Sequence, residues 1–212
     1  MITIKNAKAL PLQIIVWTDF VCPYCLIGDS ILEVATAGLN VEVIWKAFEL
    51  RPYPTPTLKP EDEYLPTVWK KHVYPTAALY GVTMQLPTIS PQPHTKLAFI
   101  GMRYAASLGL ANQYVLAVLK VFLQENRDID SIEVLKDIAI SLGINAEDFE
   151  QSLCDNTLIK QHEQELIEAN NLGIRSVPSM LLNGQLQSLI RDPQELRKLI
   201  IKESNLAQTD FI

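Results

Sequence analysis

Two of the chain's three cysteines, Cys22 and Cys25, stand three positions apart around Pro23 and Tyr24, just beyond the Ile- and Val-rich run Leu12–Trp17. A short apolar run ending in a polar turn reads as a central strand. Pro23 stands where a first helical residue belongs, and the following LIGDSILEVATA keeps helical character until Gly38 and Asn40. NVEVIWKAF then alternates Val41, Val43 and Trp45 with more polar neighbours, as a second strand does. Strand, helix and strand in so short a stretch make a βαβ unit and a parallel pair, with the cysteines at the first strand-to-helix turn.

Three uses of such a pair are open: a structural disulfide, half of a metal site, or a dithiol that cycles. Zinc takes about four Cys or His ligands. Only Cys154, His72, His94 and His162 remain, none paired at metal spacing, so no metal is expected. A reducing cytosol disfavours a structural bridge. C-x-x-C beside a βαβ pattern reads instead as a thioredoxin-like redox site. At a helix N-terminus the unpaired N–H groups and the positive dipole end favour an anion. Such settings bring a cysteine from a pKa of ~8.5 into the range ~3.5–7.5, which makes Cys22 the nucleophile. Cys25, one turn on, resolves a mixed disulfide. Pro23 holds φ near its helical value, and Tyr24 lines the substrate surface.

Composition removes several other classes. The 212 residues carry a net charge of −6, with cationic residues scattered apart from Lys70 and Lys71. Phosphate binding needs clustered Lys and Arg, so a nucleic-acid partner is not expected. No segment approaches the ~20 apolar residues that span a bilayer, so neither is a membrane. The first twenty residues hold Lys5 and Lys8 but no clean apolar run before small cleavage-site residues. With an odd, low cysteine count, this points to a cytoplasmic protein.

Beyond the βαβ unit, LRPYPTPTLKPEDEYLP has too many prolines for helix or sheet interior and reads as an extended connector. From Thr67 to about Asn171 the signals are mostly helical. Leu97, Ile100, Tyr104 and Leu108 share one helical face, with Gly109 as a stop. Asp130 with Glu133 reads as a capping box opening a helix that ends at Gly143. Another helix runs from about Asp155 to Asn171. Asn183-Gly184 between apolar runs signals a hairpin, and Asp192-Pro193 opens a final helix.

The segment GIRSVPSMLLNG, residues 173–184, adds a second element. Proline directly before a strand removes a ladder donor. Taken alone this reads as an ordinary trans proline entering a strand. Beside the C-x-x-C and the hairpin it resembles the cis-proline of thioredoxin-fold enzymes, which implies a cis Val177–Pro178 bond facing the dithiol and a Val177 backbone free to pair with an extended substrate.

TDFVCPYCLIG, AFELRPYP, PHTKLAF, ENRDIDSIEVLKDIAISLGI and GIRSVPSMLLNG together resemble the DsbA-like thioredoxin-fold family, in particular its cytosolic FrnE-like branch. The resemblance runs from about Leu12 to Ile200. It implies an α/β thioredoxin-like fold with a helical insertion. We place the thioredoxin-like domain at 12–57 and 156–205 and the insertion at 58–155. It also implies thiol–disulfide exchange, with Cys22 attacking, Cys25 resolving and Pro178 as the cis-proline. Substrate contacts fall to Pro23, Tyr24, Val177 and Pro178. Partners are protein or small-molecule disulfides and thiols. No resident cofactor is implied, though glutathione is a candidate redox partner. Tyr24 stands where this branch usually has Trp, and SLIRDP replaces its Gly-Ala-containing turn after the hairpin.

Two further functions compete. One is a glutathione-dependent kappa-class transferase or 2-hydroxychromene-2-carboxylate isomerase, in which a second cysteine at position 25 is unnecessary. The other is a non-catalytic protein-binding or chaperone-like module. Among lesser residues, Asp19 is expected to be solvated or turn-bonding. His162 is expected to be packed, His94 exposed or capping, and Cys154 a buried small apolar residue. Tyr64, Trp69 and Tyr74 are expected to pack in the core or insertion rather than form a substrate patch. Direction of exchange and oligomeric state are not encoded in these motifs.

Overall fold

The computed structural model describes residues 10–209, so Lys5 and Lys8 lie outside the described range. Strand β1 (Leu12–Thr18), helix α1 (Pro23–Thr36) and strand β2 (Val41–Ala47) form the expected unit. Then come α2 (Tyr64–Val68), a π-helical stretch Trp69–Val73, α3 (Tyr74–Leu79), α4 (Lys96–Ser107), α5 (Ala111–Leu123), α6 (Ile132–Ser141) and α7 (Ala146–Ser152). Helix α8 (Asn156–Asn171), the hairpin β3 (Ser179–Leu182) and β4 (Gln185–Ser188), and α9 (Pro193–Thr209) complete the chain.

The four strands order as β2-β1-β3-β4. Strand β1 pairs parallel with β2 and antiparallel with β3, so that Val16 lies between Trp45 and Met180. Ile14, Val16 and Trp17 are fully buried, which is why β1 reads as a nearly continuous apolar run. Asn183 (φ 47°) and Gly184 (φ 74°) are both left-handed, as a two-residue primed hairpin turn requires. Asp155 and Asp192 cap α8 and α9, each carboxylate accepting two backbone amides. Helix α9 packs on α1, and α8 lies along β2. This is the thioredoxin-like sheet with a helical insertion between β2 and β3.

Some local expectations shift. The cap of α6 is Ser131, whose hydroxyl accepts from the Val134 amide, and not Asp130. On α4, Ile100 is buried, but Leu108 is exposed and Leu97 and Tyr104 are only partly covered. Ala98, Phe99, Met102 and Ala105 are buried there instead. The helix is covered on more than one side, by α5, α7 and α8, so a single apolar stripe does not describe it. Cys154 is exposed rather than buried, because it falls in the turn between α7 and α8.

A polar tie joins the insertion to the sheet. Arg103 on α4 donates to Glu165 Oε1 on α8 (2.7 Å) and to the Trp45 carbonyl on β2 (2.5 Å). Glu165 Oε2 accepts the Ala47 amide at 3.1 Å, and Trp45 donates its indole N–H to Asn112 on α5 at 2.6 Å. Burial lowers the Arg103 pKa, and Glu165 opposes that shift. Breaking a buried pair leaves an uncompensated charge. We therefore expect Glu165→Ala to lose roughly 3–5 kcal/mol in denaturant unfolding. Glu163→Ala, which breaks the exposed pair with Lys96, should cost less than about 1 kcal/mol.

Candidate active site

Strand β1 ends at Thr18, and the chain turns through Asp19–Val21 into α1. The Cys22 amide closes this turn on the Asp19 carbonyl at 3.1 Å. Cys22 is the N-cap of α1, with extended backbone (φ −88°, ψ 113°), and Pro23 occupies the first turn. The thiol therefore sits at the positive end of the helix, as the spacing predicts. It makes no capping bond to the first-turn amides. It donates instead to the Val177 carbonyl across the fold, with Sγ 3.5 Å from the oxygen.

Val177–Pro178 is cis, as expected from the sequence, and so are Tyr53–Pro54 and Ser90–Pro91, which the sequence reading did not anticipate. The Pro178 ring abuts α1 at Gly28. A methyl added there would lie 2.8 Å from Pro178 Cγ and 3.0 Å from Leu189 Cδ2. A glycine inside a helix is thus explained by close approach, not by backbone conformation.

Cys25 is buried behind Cys22, and its sulfur accepts the Asp19 amide at 3.3 Å. Burial raises its pKa well above the ordinary thiol value. The hydrogen bond and charge interaction with Cys22 raise it further, while Thr18 and the Asp19 amide pull the other way. Both sulfurs are free thiols.

Asp19 is buried, not solvated. Its Oδ2 accepts the Leu50 amide at 2.8 Å, and the Thr95 side chain and Val21 amide also favour its charged form. Burial lifts its pKa to about 7; the Leu50 amide opposes the shift and the nearby Glu49 charge adds to it. Glu49 in turn meets His162 Nε2 at 2.6 Å, and the His162 ring stacks on Phe99. His162 is packed, as its position on the α8 stripe suggests. His94 is half-buried, its Nδ1–H donating to the Arg51 carbonyl at 3.1 Å, and caps no helix.

A pocket of about 180 Å³ opens beside Cys22. Asp19, Cys22, Pro23 and Tyr24 form its wall on the thioredoxin side. Leu50 and Arg51 from the chain after β2, together with Leu65, Val68, Trp69, Gln92 and Thr95, close it from the insertion side. No local sequence signal marks this second wall, since the Pro-rich stretch reads as a connector. Trp69 packs in the core as expected, yet it and Val73, the two ends of the π-helical stretch, both face the pocket. Tyr64 lines it too while remaining exposed, and Tyr74 is exposed with its ring edge on Trp69. Val177 and Pro178 lie outside the pocket lining, on the other approach to Cys22. No cluster of potential metal ligands exists among the described residues.

Residues 13–200 match the DSBA-like thioredoxin domain. The chain belongs to that family. A Bacillus subtilis (strain 168) relative, uncharacterized protein YwbO, is 34% identical over 175 residues, covering 82% of this chain and 88% of the relative. Among solved structures, a probable DsbA oxidoreductase, SCO1869 from Streptomyces coelicolor, superposes with a TM-score of 0.75 at 20% identity, covering 92% of this chain and 90% of that one. A 2-hydroxychromene-2-carboxylate isomerase gives 0.72 at 18% identity, covering 94% of this chain and 98% of that one. The cytosolic disulfide reductase DsbM from Pseudomonas aeruginosa with GSH gives 0.69 at 17%, covering 94% and 99%. At these identities the structural likeness is one of fold. In this DSBA-like domain, the dithiol turn and the cis-proline loop meet at Gly28.

Two outcomes test this geometry. Gly28→Ala gains about 1 kcal/mol of helix propensity. Displacing a rigid proline ring costs roughly 1–3 kcal/mol, so the net change in denaturant midpoint should be destabilising. Asp19 binds its proton more tightly folded than unfolded. Its contribution to stability is therefore fully present below its unfolded pKa of 3.8 and is lost as pH rises through about 7. At one pKa unit per 1.36 kcal/mol, the loss is on the order of 4 kcal/mol. Asp19→Asn should thus gain stability relative to the parent chain between about pH 4 and pH 8, as followed by chemical unfolding at each pH.

Proposed function

We propose that this protein is a thiol–disulfide oxidoreductase or isomerase working through Cys22 and Cys25. The observation that carries the proposal is the pairing of a helix-capping Cys22, reachable from a pocket and set against the Val177 carbonyl, with a buried Cys25 directly behind it. The Cys22 thiolate attacks one sulfur of a substrate disulfide, forming a mixed disulfide and releasing the other sulfur as thiolate. Cys25 then loses its proton and attacks the Cys22 sulfur. The second substrate thiol leaves and a Cys22–Cys25 disulfide remains. The substrate disulfide is reduced by two electrons and the dithiol is oxidised by two.

The electrostatics favour this order. Before substrate arrives, burial and Cys22 both keep Cys25 protonated. Once Cys22 is tied up in a mixed disulfide, its thiol no longer interacts with Cys25, and the Asp19 amide at 3.3 Å is left to favour the Cys25 thiolate. The resolving thiol becomes easier to ionise when it is needed.

Family membership supports disulfide chemistry as the broad activity. The AFELRPYP and GIRSVPSMLLNG segments support the FrnE-like branch, from which Tyr24 departs, and the odd, low cysteine count supports a reducing cytoplasmic setting. Tyr24 and Pro23 contact substrate from the pocket side, and Val177 and Pro178 from the other. Glutathione is a candidate redox partner, and a disulfide reductase of the same fold has been crystallised with it.

The isomerase-like neighbour supports a second reading, in which a single thiol activates glutathione. A Cys25→Ser variant separates the two. Under disulfide exchange it accumulates mixed disulfides, visible by mass spectrometry, and steady-state turnover collapses. Unimpaired turnover that requires glutathione would reverse the assignment. A Cys22→Ser/Cys25→Ser double variant with full biological activity would favour a binding module instead.

A further inference from the structure

The pocket beside Cys22 is small, mostly apolar and uneven in charge. An engineered apolar cavity of about 150 Å³ holds one benzene ring. A pocket of about 180 Å³ therefore has room for a single ring or a short branched chain. Leu50, Leu65, Val68 and Trp69 supply apolar walls, while Asp19, Gln92 and Thr95 are buried polar residues on the same lining. The lining cation is Arg51, which is held at the exposed rim by donation to the Pro56 carbonyl at 3.4 Å. The interior carboxyl is Asp19, within reach of the Thr95 side chain and the Val21 amide.

Building on the disulfide-exchange reading, we propose that this pocket receives the uncharged, single-ring-sized arm of a low-molecular-weight disulfide, and that Asp19 is the residue that turns away an anionic arm. In the mixed disulfide the arm bonded to the Cys22 sulfur lies in the pocket and the departing half leaves through the rim past Arg51. Asp19 is buried and lines the pocket, so a carboxylate brought inside meets its negative charge in a low-dielectric wall once Asp19 is ionised. When Asp19 is protonated, its carboxyl donates a hydrogen bond to an amide or carbonyl on the arm. The groups around Asp19 that titrate or carry charge are Glu49, itself paired with His162, Cys25 at its backbone amide, and Cys22, Tyr24, Tyr64 and Arg51 on the pocket lining.

The test compares the bis-benzamide and bis-benzoate derivatives of diphenyl disulfide, two probes of one shape that differ in charge. Each kcat/KM is divided by the probe's rate with free dithiothreitol, so intrinsic reactivity and the ionisation of Cys22 cancel in the ratio. The amide-to-benzoate preference should grow by roughly tenfold between about pH 6 and about pH 8, as Asp19 ionises. In Asp19→Asn the preference should be independent of pH. A crystal structure of Cys25→Ser carrying the benzamide thiol on Cys22 should place the ring between Leu65 and Trp69. A pH-independent preference in the parent protein, an unchanged pH dependence in Asp19→Asn, or a ring lying along Val177 overturns the proposal. Failure to exchange with either probe or with hydroxyethyl disulfide overturns the underlying oxidoreductase reading instead.

Discussion

Helix α1 and the loop before β3 touch where there is no room for a methyl group, at Gly28 and Pro178. That contact sets how near the Val177 carbonyl comes to the Cys22 thiol, and so sets one whole wall of the site. It joins residues about 150 positions apart. The sheet makes it possible: β1 delivers the dithiol turn and β3, its antiparallel neighbour, begins at the next residue after Pro178. A larger residue at position 28 or a shifted register of β3 would separate the two halves.

Around that contact the chain buries ionisable groups in an order that suits two-step thiol chemistry. Cys22 and Asp19 border the pocket and Cys25 lies behind Cys22, with Asp19 and Cys25 both buried where charge is costly. Glu49 and His162 are hydrogen-bonded to each other deeper in the fold. The opposite wall is held by a different device. The Arg103–Glu165 pair and the hydrogen bonds of Trp45 fasten the insertion to β2, so that α2 and the π-helical stretch after it reach the dithiol. The insertion thus contributes half of the pocket without contributing either sulfur.

Much of this was legible in the residues. The hairpin at Asn183-Gly184, the helix start near Asp155, the cap at Asp192, and the position of Cys22 at the head of α1 all rest on local geometry that a few neighbouring residues dictate. Expectations failed where burial comes from distant parts of the chain. Asp19 looked like a solvated turn residue until Leu50, Thr95 and the chain after β2 closed over it. Cys154 looked like a small core residue, yet the turn that carries it is exposed. The expected α4 face packs on the core through Leu97, Ile100 and Tyr104, but Leu108 is exposed and further residues are buried because that helix has neighbours on several sides, which the periodicity of one helix does not register.

The amino-acid order by itself determined the βαβ frame, the two sulfurs one helical turn apart, and a proline at the entry to β3. These depend on spacing, proline stereochemistry and hydrophobic alternation, all of which act over a few residues. Tertiary structure alone decided which polar groups lose water, which wall faces Cys22, and what size and charge of molecule the space beside it accepts. Desolvation and cavity shape depend on surfaces that meet only after folding, and no local pattern records them.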